Sequence, residues 1–172
     1  MANMINLTIN NIPVSVEEGS TILEAARKLS IRIPTLCNHD DLCVAGNCRV
    51  CVVEQIGNRT LQAACATPVR ENMQILTNSM MVMQARKTII ELLLSEHNAD
   101  CTKCYKNGNC ELQDLSNEYR TGNQIYIDLV PLKHYTIDQS SPSLIKDDSK
   151  CIRCQRCVRT CSDLQAVSAL SA

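Results

Sequence analysis

Twelve cysteines in a chain of 172 residues constrain this protein more than any other feature of its sequence. They fall into three groups, at positions 37–65, 101–110 and 151–161. The chain has no Trp and no Phe, so its core must be built from Ile, Leu, Val and Met. A chain of this size buries only a modest core, and groups bound by the cysteines are therefore expected to help stabilise the fold.

The cysteines are predicted to bind metal rather than to form disulfides. The start of the chain, Met1-Ala2-Asn3-Met4-Ile5-Asn6, has neither the basic n-region nor the apolar h-region of a signal peptide. We therefore expect a reducing, cytoplasmic compartment. Disulfides are rare there, and closely spaced cysteines usually bind metal.

The composition argues against several classes of function. Lys and Arg number 17 against 18 Asp and Glu, and the formal net charge of -1 offers no basic surface for nucleic acid or anionic membranes. No apolar run approaches the roughly 18 residues needed to span a bilayer. The five glycines are isolated at positions 19, 46, 57, 108 and 122, which excludes the Gly-x-Gly-x-x-Gly and P-loop nucleotide sites. No Ser-His-Asp or Cys-His nucleophile arrangement is visible, so the question whether the chain is itself an enzyme stays open, and substrate chemistry is expected elsewhere.

Local patterns in about the first 78 residues predict a small α+β domain. Apolar and polar residues alternate over Met4–Ile9 and Ile12–Val16, on either side of Asn10-Asn11, which is typical of a hairpin. Thr21-Ile22-Leu23-Glu24 is a capping box that predicts the start of a short helix. Further strands are predicted at 50–54, 60–64 and 73–77.

The rest of the chain has a different pattern. Apolar residues at helical spacing predict a helix over 80–97, with His97 on the same inward face as Leu93. The stretch from Cys110 to Asn123 is polar and has no long period. Residues 125–132 fit a strand, and the Ser-, Asp- and Lys-rich residues 138–149 are typical of a linker. We expect three domains, at residues 1–78, 79–137 and 138–172.

The first cysteine group contains a Cys-x2-Cys pair, Cys48 and Cys51, with Cys37 and Cys43 before it and Cys65 after it. Gly46, just upstream of the pair, allows the backbone to approach closely and to direct N–H groups at sulfur. Four thiolates gathered at one loop suit either a 2Fe-2S cluster or tetrahedral zinc. The spacing alone does not decide between them.

The second group is His97-x3-Cys101-x2-Cys104-x5-Cys110. An inward-facing histidine at a helix end is by itself more often a core or capping residue than a ligand. Three cysteines within 13 residues of His97 favour the ligand interpretation, because they need a fourth donor. A zinc site with three cysteines and one histidine remains an alternative.

The third group, Cys151-x2-Cys154-x2-Cys157-x3-Cys161, has the spacing of bacterial ferredoxin 4Fe-4S sites and is the most specific pattern in the chain. Two features depart from it. Ser162 stands where the ferredoxin run has proline, and no second run follows. In two-cluster ferredoxins the fourth cysteine binds the other cluster, so the cluster that Cys161 would bind stays open.

Several stretches of the sequence carry a family resemblance. They are Thr35-Leu36-Cys37-Asn38-His39, Ala45-Gly46-Asn47-Cys48-Arg49-Val50-Cys51-Val52-Val53-Glu54, Gln62-Ala63-Ala64-Cys65, the His97 to Cys110 motif and Cys151-Ile152-Arg153-Cys154-Gln155-Arg156-Cys157-Val158-Arg159. The chain resembles the N-terminal region of multi-cluster FeFe hydrogenases of the electron-bifurcating or NAD(P)-linked type. NAD-dependent formate dehydrogenases, the large iron-sulfur subunit of complex I and the diaphorase-type small subunit of NAD-linked hydrogenases share much of this region. The likeness runs over nearly the whole chain.

The resemblance implies a fold and a set of ligands. The first part would be a ubiquitin-like, plant-ferredoxin-type β-grasp domain whose 2Fe-2S cluster is bound by Cys37, Cys48, Cys51 and Cys65, with Cys43 outside the pattern. A helical module would follow, with a 4Fe-4S cluster bound by His97, Cys101, Cys104 and Cys110. The last part would be a partial ferredoxin-type segment, with a second 4Fe-4S cluster on Cys151, Cys154 and Cys157. Three sites that match cluster spacings in order favour iron-sulfur clusters over zinc.

The function that the resemblance implies is electron transfer. The chain would relay electrons between a flavoprotein that oxidises or reduces NAD(P)H, or a ferredoxin, and the catalytic centre of a hydrogenase or formate dehydrogenase. Two alternatives stay open: the N-terminal part of a catalytic FeFe hydrogenase or formate dehydrogenase chain, and a zinc-stabilised interaction module.

Arg153, Arg156 and Arg159 recur every three residues among the last cysteines, and we expect them to form a solvated face rather than to tune a cluster.

Overall fold

The computed structural model describes residues 3–122 and 135–171, so the strand predicted at 125–132 lies outside the described residues. The contacts between residues divide the chain into two compact units. One contains the residues up to Arg86 together with those from Gln155 onward, and the other contains Lys87–Cys154. Among the described residues, no helix combines the length and the apolar character needed to cross a membrane.

The first unit is built on a mixed sheet of five strands in the order β2-β1-β5-β3-β4. The strands are β1 (Met4–Ile9), β2 (Ile12–Glu17), β3 (Val52–Gln55), β4 (Gln62–Ala63) and β5 (Gln74–Leu76). β1 pairs with β5 in parallel, and the pairs β1–β2, β3–β5 and β3–β4 are antiparallel. This confirms the expected α+β fold of the ferredoxin type.

The opening hairpin forms for the local reason that the sequence indicates. Asn10 and Asn11 both have positive φ angles, of 51° and 66°. A two-residue turn of this kind matches the twist of the flanking strands, and asparagine tolerates the left-handed region better than most residues. The strands then pair in register from Met4 opposite Glu17 to Ile9 opposite Ile12.

Helix α1 (Ile22–Lys28) begins at the predicted capping box. The Thr21 side chain accepts a hydrogen bond from the Glu24 backbone at 3.2 Å, and the Glu24 carboxylate accepts one from the Thr21 backbone at 2.6 Å. The buried face of α1 belongs to a single apolar cluster with the inner residues of the sheet. Its fully buried members include Ile9, Ile22 and Ile75. This core fixes α1 and β3, the two elements that the first cysteine loop connects.

Helix α2 (Met80–Ser95) ends two residues before His97, close to the predicted end. Arg86 on this helix is buried, and it donates a hydrogen bond to the carbonyl of Val52 at 2.7 Å. Val52 is the first residue of β3 and directly follows Cys51. Within the first unit, α2 therefore stabilises the backbone beside the Cys-x2-Cys pair.

The second unit has little sheet. A 3-10 turn covers Cys101–Lys103, helix α3 covers Glu111–Glu118, and a short hairpin pairs β6 (Ile137–Asp138) with β7 (Lys146–Asp147). A further 3-10 turn covers Asp148–Lys150. The segment predicted to be a linker thus carries the strand β7 and this turn, and the polar stretch after Cys110 contains a helix that the sequence analysis missed.

The residues from Gln155 onward form helical structure within the first unit. Helix α4 (Arg156–Arg159) continues into a π-helical segment over Thr160–Leu164. The carbonyl of Cys161 accepts backbone hydrogen bonds from Val167 at 3.0 Å and from Ser168 at 3.3 Å. These bonds turn the chain back at the end of the helical segment.

Candidate iron-sulfur sites

The first cysteine group lies where the sheet and its connections meet. Cys37 and Cys48 lie in the long connection between α1 and β3, Cys51 directly precedes β3, and Cys65 lies two residues past the end of β4. All four side chains are buried, with exposed fractions of 1% for Cys37, 8% for Cys48, 1% for Cys51 and 2% for Cys65. Four thiols that lie so close together and are so well shielded from water indicate a single site.

The four thiols contact one another. The sulfur atoms of Cys51 and Cys65 are 3.4 Å apart. Hydrogen bonds from the thiols of Cys48 and Cys65 lower the pKa of Cys37 far below its usual value. The hydrogen bond with Cys37 raises the pKa of Cys48. Another hydrogen bond with Cys37 is the largest cause of the raised pKa of Cys65. A hydrogen bond from Cys65 lowers the pKa of Cys51 to about 7. These contacts connect the four sulfur atoms in series, from Cys48 through Cys37 and Cys65 to Cys51.

Backbone N–H groups also point at this sulfur cluster, as the position of Gly46 predicted. Hydrogen bonds from the backbone of Cys48 and Asn47 contribute to the lowered pKa of Cys37. Gly46 has a φ angle of 62°, a left-handed conformation that glycine adopts without strain. Arg49, between the two cysteines of the pair, has a φ angle of 57°. The loop therefore turns sharply around the thiols and presents donors that favour a thiolate.

Cys43 differs from the other members of the group. Its side chain is exposed, and its thiol forms a hydrogen bond with Asp163 that raises its pKa. It takes no part in the contacts described among the four buried thiols. The structure therefore separates Cys43 from the four cysteines that the resemblance selects.

The second cysteine group follows α2 in the second unit. Cys101 begins the 3-10 turn and Cys104 is its C-cap, while Cys110 is the N-cap of α3. The three thiols are partly buried. His97 lies just past the end of α2, where its backbone N–H bonds to the carbonyl of Leu94 at 3.2 Å.

One ring nitrogen of His97, Nδ1, is buried and makes no hydrogen bond with any of the described residues. Burial is the largest cause of its lowered pKa, and the charge of Lys150 lowers that pKa further. The imidazole also has a hydrogen bond with the backbone of Cys151. A ring with one hydrogen-bonded nitrogen and one unused buried nitrogen has the properties of a metal ligand.

The third group is divided by the boundary between the two units, since Cys151 and Cys154 precede it and Cys157 and Cys161 follow it. Cys151 follows a 3-10 turn and its sulfur accepts a hydrogen bond from the Arg153 backbone at 3.3 Å. Cys157 lies in α4 and is exposed, whereas Cys161 is buried and its sulfur accepts a hydrogen bond from Ala169 at 3.3 Å. Each half is ordered by its own local hydrogen bonds.

The donor chemistry of the first group suits a 2Fe-2S cluster. Such a cluster distributes four cysteine thiolates over two irons. Four buried thiols in mutual contact, with backbone N–H groups directed at them, supply such a donor set.

Comparisons with known families agree with this chemistry. Residues 2–80 match a family model described as a 2Fe-2S iron-sulfur cluster binding domain. Residues 86–124 match a second model, described as the NADH-ubiquinone oxidoreductase-G iron-sulfur binding region. The two models together cover the first and second cysteine groups.

Similar proteins come from two kinds of enzyme. The chain is 47% identical to the NADP-reducing hydrogenase subunit HndD of Solidesulfovibrio fructosivorans, over 98% of this chain and 29% of that subunit. It is 38% identical to the NADH-ubiquinone oxidoreductase 75 kDa subunit of Reclinomonas americana, over 95% of this chain and 23% of that subunit. The chain thus spans less than a third of the length of either relative.

A solved structure adds a comparison over most of both chains. In the crystal structure of an NAD+-reducing [NiFe]-hydrogenase in the H2-reduced state, one chain superposes with a TM-score of 0.86 at 34% identity, over 97% of this chain and 69% of that chain. The fold, the sequence identity over nearly the whole chain and both family models agree. The chain therefore belongs to the iron-sulfur electron-transfer family that NAD(P)-linked hydrogenases and complex I-type oxidoreductases share, with a 2Fe-2S binding domain and a 4Fe-4S binding region.

Proposed function

We propose that this chain relays single electrons through a 2Fe-2S cluster bound by Cys37, Cys48, Cys51 and Cys65. A 4Fe-4S cluster bound by His97, Cys101, Cys104 and Cys110 is the next carrier. The observation that carries the proposal is the set of four buried, mutually contacting thiols at the edge of the sheet, inside the region that matches a 2Fe-2S binding domain.

The second ligand set is supported by the free Nδ1 atom of His97. A cluster with three cysteines and one histidine carries less negative charge than one with four cysteines, because a neutral imidazole replaces a thiolate. Histidine ligation raises the potential of an iron-sulfur centre for this reason. We also propose a second 4Fe-4S cluster on Cys151, Cys154 and Cys157, with Cys161 as its fourth ligand or as a ligand to another cluster.

In this proposal the clusters and the protein have different roles. When bound, each cluster accepts and releases one electron at a time. The chain's own residues hold the clusters, exclude water from the first site and direct N–H groups at sulfur, which favours the reduced state. We propose that the electrons pass between a flavoprotein subunit that oxidises or reduces NAD(P)H and a hydrogenase or formate dehydrogenase catalytic subunit, in the cytoplasm.

The test is anaerobic purification followed by iron and sulfide counting and electron paramagnetic resonance (EPR) spectroscopy. We expect about six irons per chain for the first two clusters and about ten if the third is also present, by addition of the cluster types. Reduction should give two or three distinct signals, one of them with the spectrum of a 2Fe-2S centre. A colourless protein that contains zinc and no acid-labile sulfide would refute the proposal in favour of a zinc-stabilised interaction module.

A second candidate is that these residues are one part of a catalytic hydrogenase chain. It is favoured by the 47% identity to the NADP-reducing hydrogenase subunit, of which the chain matches 29%. Hydrogen-dependent reduction of a dye separates the two candidates. An electron-transfer chain alone gives no reduction with hydrogen but is reduced by dithionite, whereas a catalytic chain reduces the dye with hydrogen.

A further inference from the structure

The side chain of Arg159 contacts the loop of the first cysteine group. Arg159 lies in α4 and only 6% of it is exposed, so the expected solvated face is wrong for this residue. One terminal nitrogen of its guanidinium donates to the carbonyl of Cys37, and the other donates to the carbonyl of Cys43. Both partners lie in the same compact unit as Arg159.

Two neighbours of Arg159 bind the same loop. Asp163, one helical turn further on, accepts a hydrogen bond from the backbone N–H of Cys43 at 3.4 Å. Arg156 donates to the carbonyl of Asn38 at 3.0 Å. The peptide groups of Cys43 are therefore bound on both sides, by Arg159 and by Asp163. The backbone of Cys43 is bound by the C-terminal helical segment, although its thiol is not one of the four buried ones.

A buried guanidinium in this position has two physical consequences. Its planar fork binds two carbonyls at fixed separation, which a flexible lysine cannot reproduce. Its permanent positive charge lies against the peptide of Cys37, where low solvent exposure leaves it poorly screened by salt, and the nearby Asp163 carboxylate offsets only part of it. A positive charge beside a cluster ligand favours the state with more negative charge, which is the reduced state.

We propose that Arg159 is a positioning residue for the 2Fe-2S centre: it fixes the loop that carries Cys37 and raises the reduction potential of the cluster. This rests on the proposed function, since it requires Cys37 to be a ligand of that cluster. The step concerned is the gain of one electron by the oxidised cluster from an external reductant such as dithionite, which loses that electron, with no proton or bond exchanged. The C-terminal helical segment would thus control the potential of a site whose ligands all lie before residue 66.

The experiment compares Arg159→Gln, Arg159→Lys and Arg59→Gln in the full chain, purified anaerobically. Arg59 is exposed and serves as the control for the loss of one positive charge. The readout is an EPR-monitored redox titration of the 2Fe-2S signal, with iron and sulfide counts for the other clusters. At a fixed potential we expect Arg159→Gln to lower the ratio of reduced to oxidised cluster by about tenfold, and Arg59→Gln to leave it within about twofold. Arg159→Lys keeps the charge but loses the fork, so it should change the shape of the signal more than the potential.

The outcomes separate this inference from the proposed function. The absence of a 2Fe-2S signal in the unmodified chain would refute the function itself. A normal signal in the unmodified chain that is unchanged in potential and shape in Arg159→Gln, or shifted no more than in Arg59→Gln, would refute the inference alone. Selective loss of the 2Fe-2S signal in Arg159→Gln, with the 4Fe-4S signals retained, supports the positioning role. If Arg159→Gln does not fold, Arg159→Lys decides, and an unaltered signal in that variant overturns the inference.

Discussion

Replacing Cys37 by alanine, with Cys43→Ala as the matched control, tests which thiols of the first group hold the 2Fe-2S cluster. The two residues lie in the same loop, but the side chain of Cys37 is 1% exposed and that of Cys43 is exposed to solvent. Alanine offers no ligand atom, so Cys37→Ala leaves three thiolates for two irons. We expect the loss of about two irons and two sulfides per chain, and of the whole 2Fe-2S signal.

The control should behave differently for a structural reason. The loop is bound at Cys43 through its backbone carbonyl and N–H, which alanine retains. The substitution removes the contacts of the thiol with Asp163 and Arg159. A substitution at an exposed side chain usually changes the free energy of unfolding by no more than about 0.5 kcal/mol. Iron content and the EPR signal of Cys43→Ala should therefore match those of the unmodified chain. Loss of the cluster in Cys43→Ala together with its retention in Cys37→Ala would reverse the ligand assignment.

Three further predictions concern the second cluster, the core and the third cluster. His97→Cys should keep a 4Fe-4S cluster but lower its reduction potential, because a thiolate adds negative charge where a neutral imidazole had none, and an unchanged potential in a redox titration would argue that His97 does not bind iron. Ile9→Ala should lower the free energy of unfolding by about 2–5 kcal/mol, measured by urea denaturation, since Ile9 is 0% exposed, and Ile12→Ala, at a side chain that is 48% exposed, should cost clearly less. The cluster on the third cysteine group should be the first to lose iron during mild chelation, because Cys151 and Cys157 are exposed whereas the four thiols of the first group are buried. Retention of that cluster after the other two are lost would contradict this reasoning.

Much of the first domain follows from local chemistry that is visible in the sequence. The turn at Asn10-Asn11 and the capping box at Thr21 act over two to four residues, so their structural outcome depends little on the rest of the fold. The helix predicted over 80–97 from its apolar periodicity is observed over Met80–Ser95. Strand β3 begins at Val52, two residues later than predicted, because the turn through Arg49 around the thiols occupies the preceding positions.

The cysteine motifs are a second property that the sequence determines by itself. The Cys-x2-Cys spacing of Cys48 and Cys51 limits which residues can reach one metal centre, whatever surrounds it. The spacing did not distinguish a cluster from zinc, and it did not explain Cys43. The match to a 2Fe-2S binding domain was needed for the first point. Burial was needed for the second, since Cys43 is exposed while the other four thiols are buried.

The remaining features were decided by contacts between distant residues. Helix α3 is only eight residues long, and the pair of buried residues that supports it, Leu112 and Leu115, is too brief a pattern to predict a helix. Arg159 lies 122 positions from Cys37 in the chain, and an arginine among charged and polar neighbours is normally exposed. Sequence patterns report periodicity and short-range spacing, whereas the burial of a charge depends on which distant carbonyls the tertiary fold places around it. The candidate ligands could therefore be predicted from the sequence, whereas the contact of Arg159 with their loop depended on the fold.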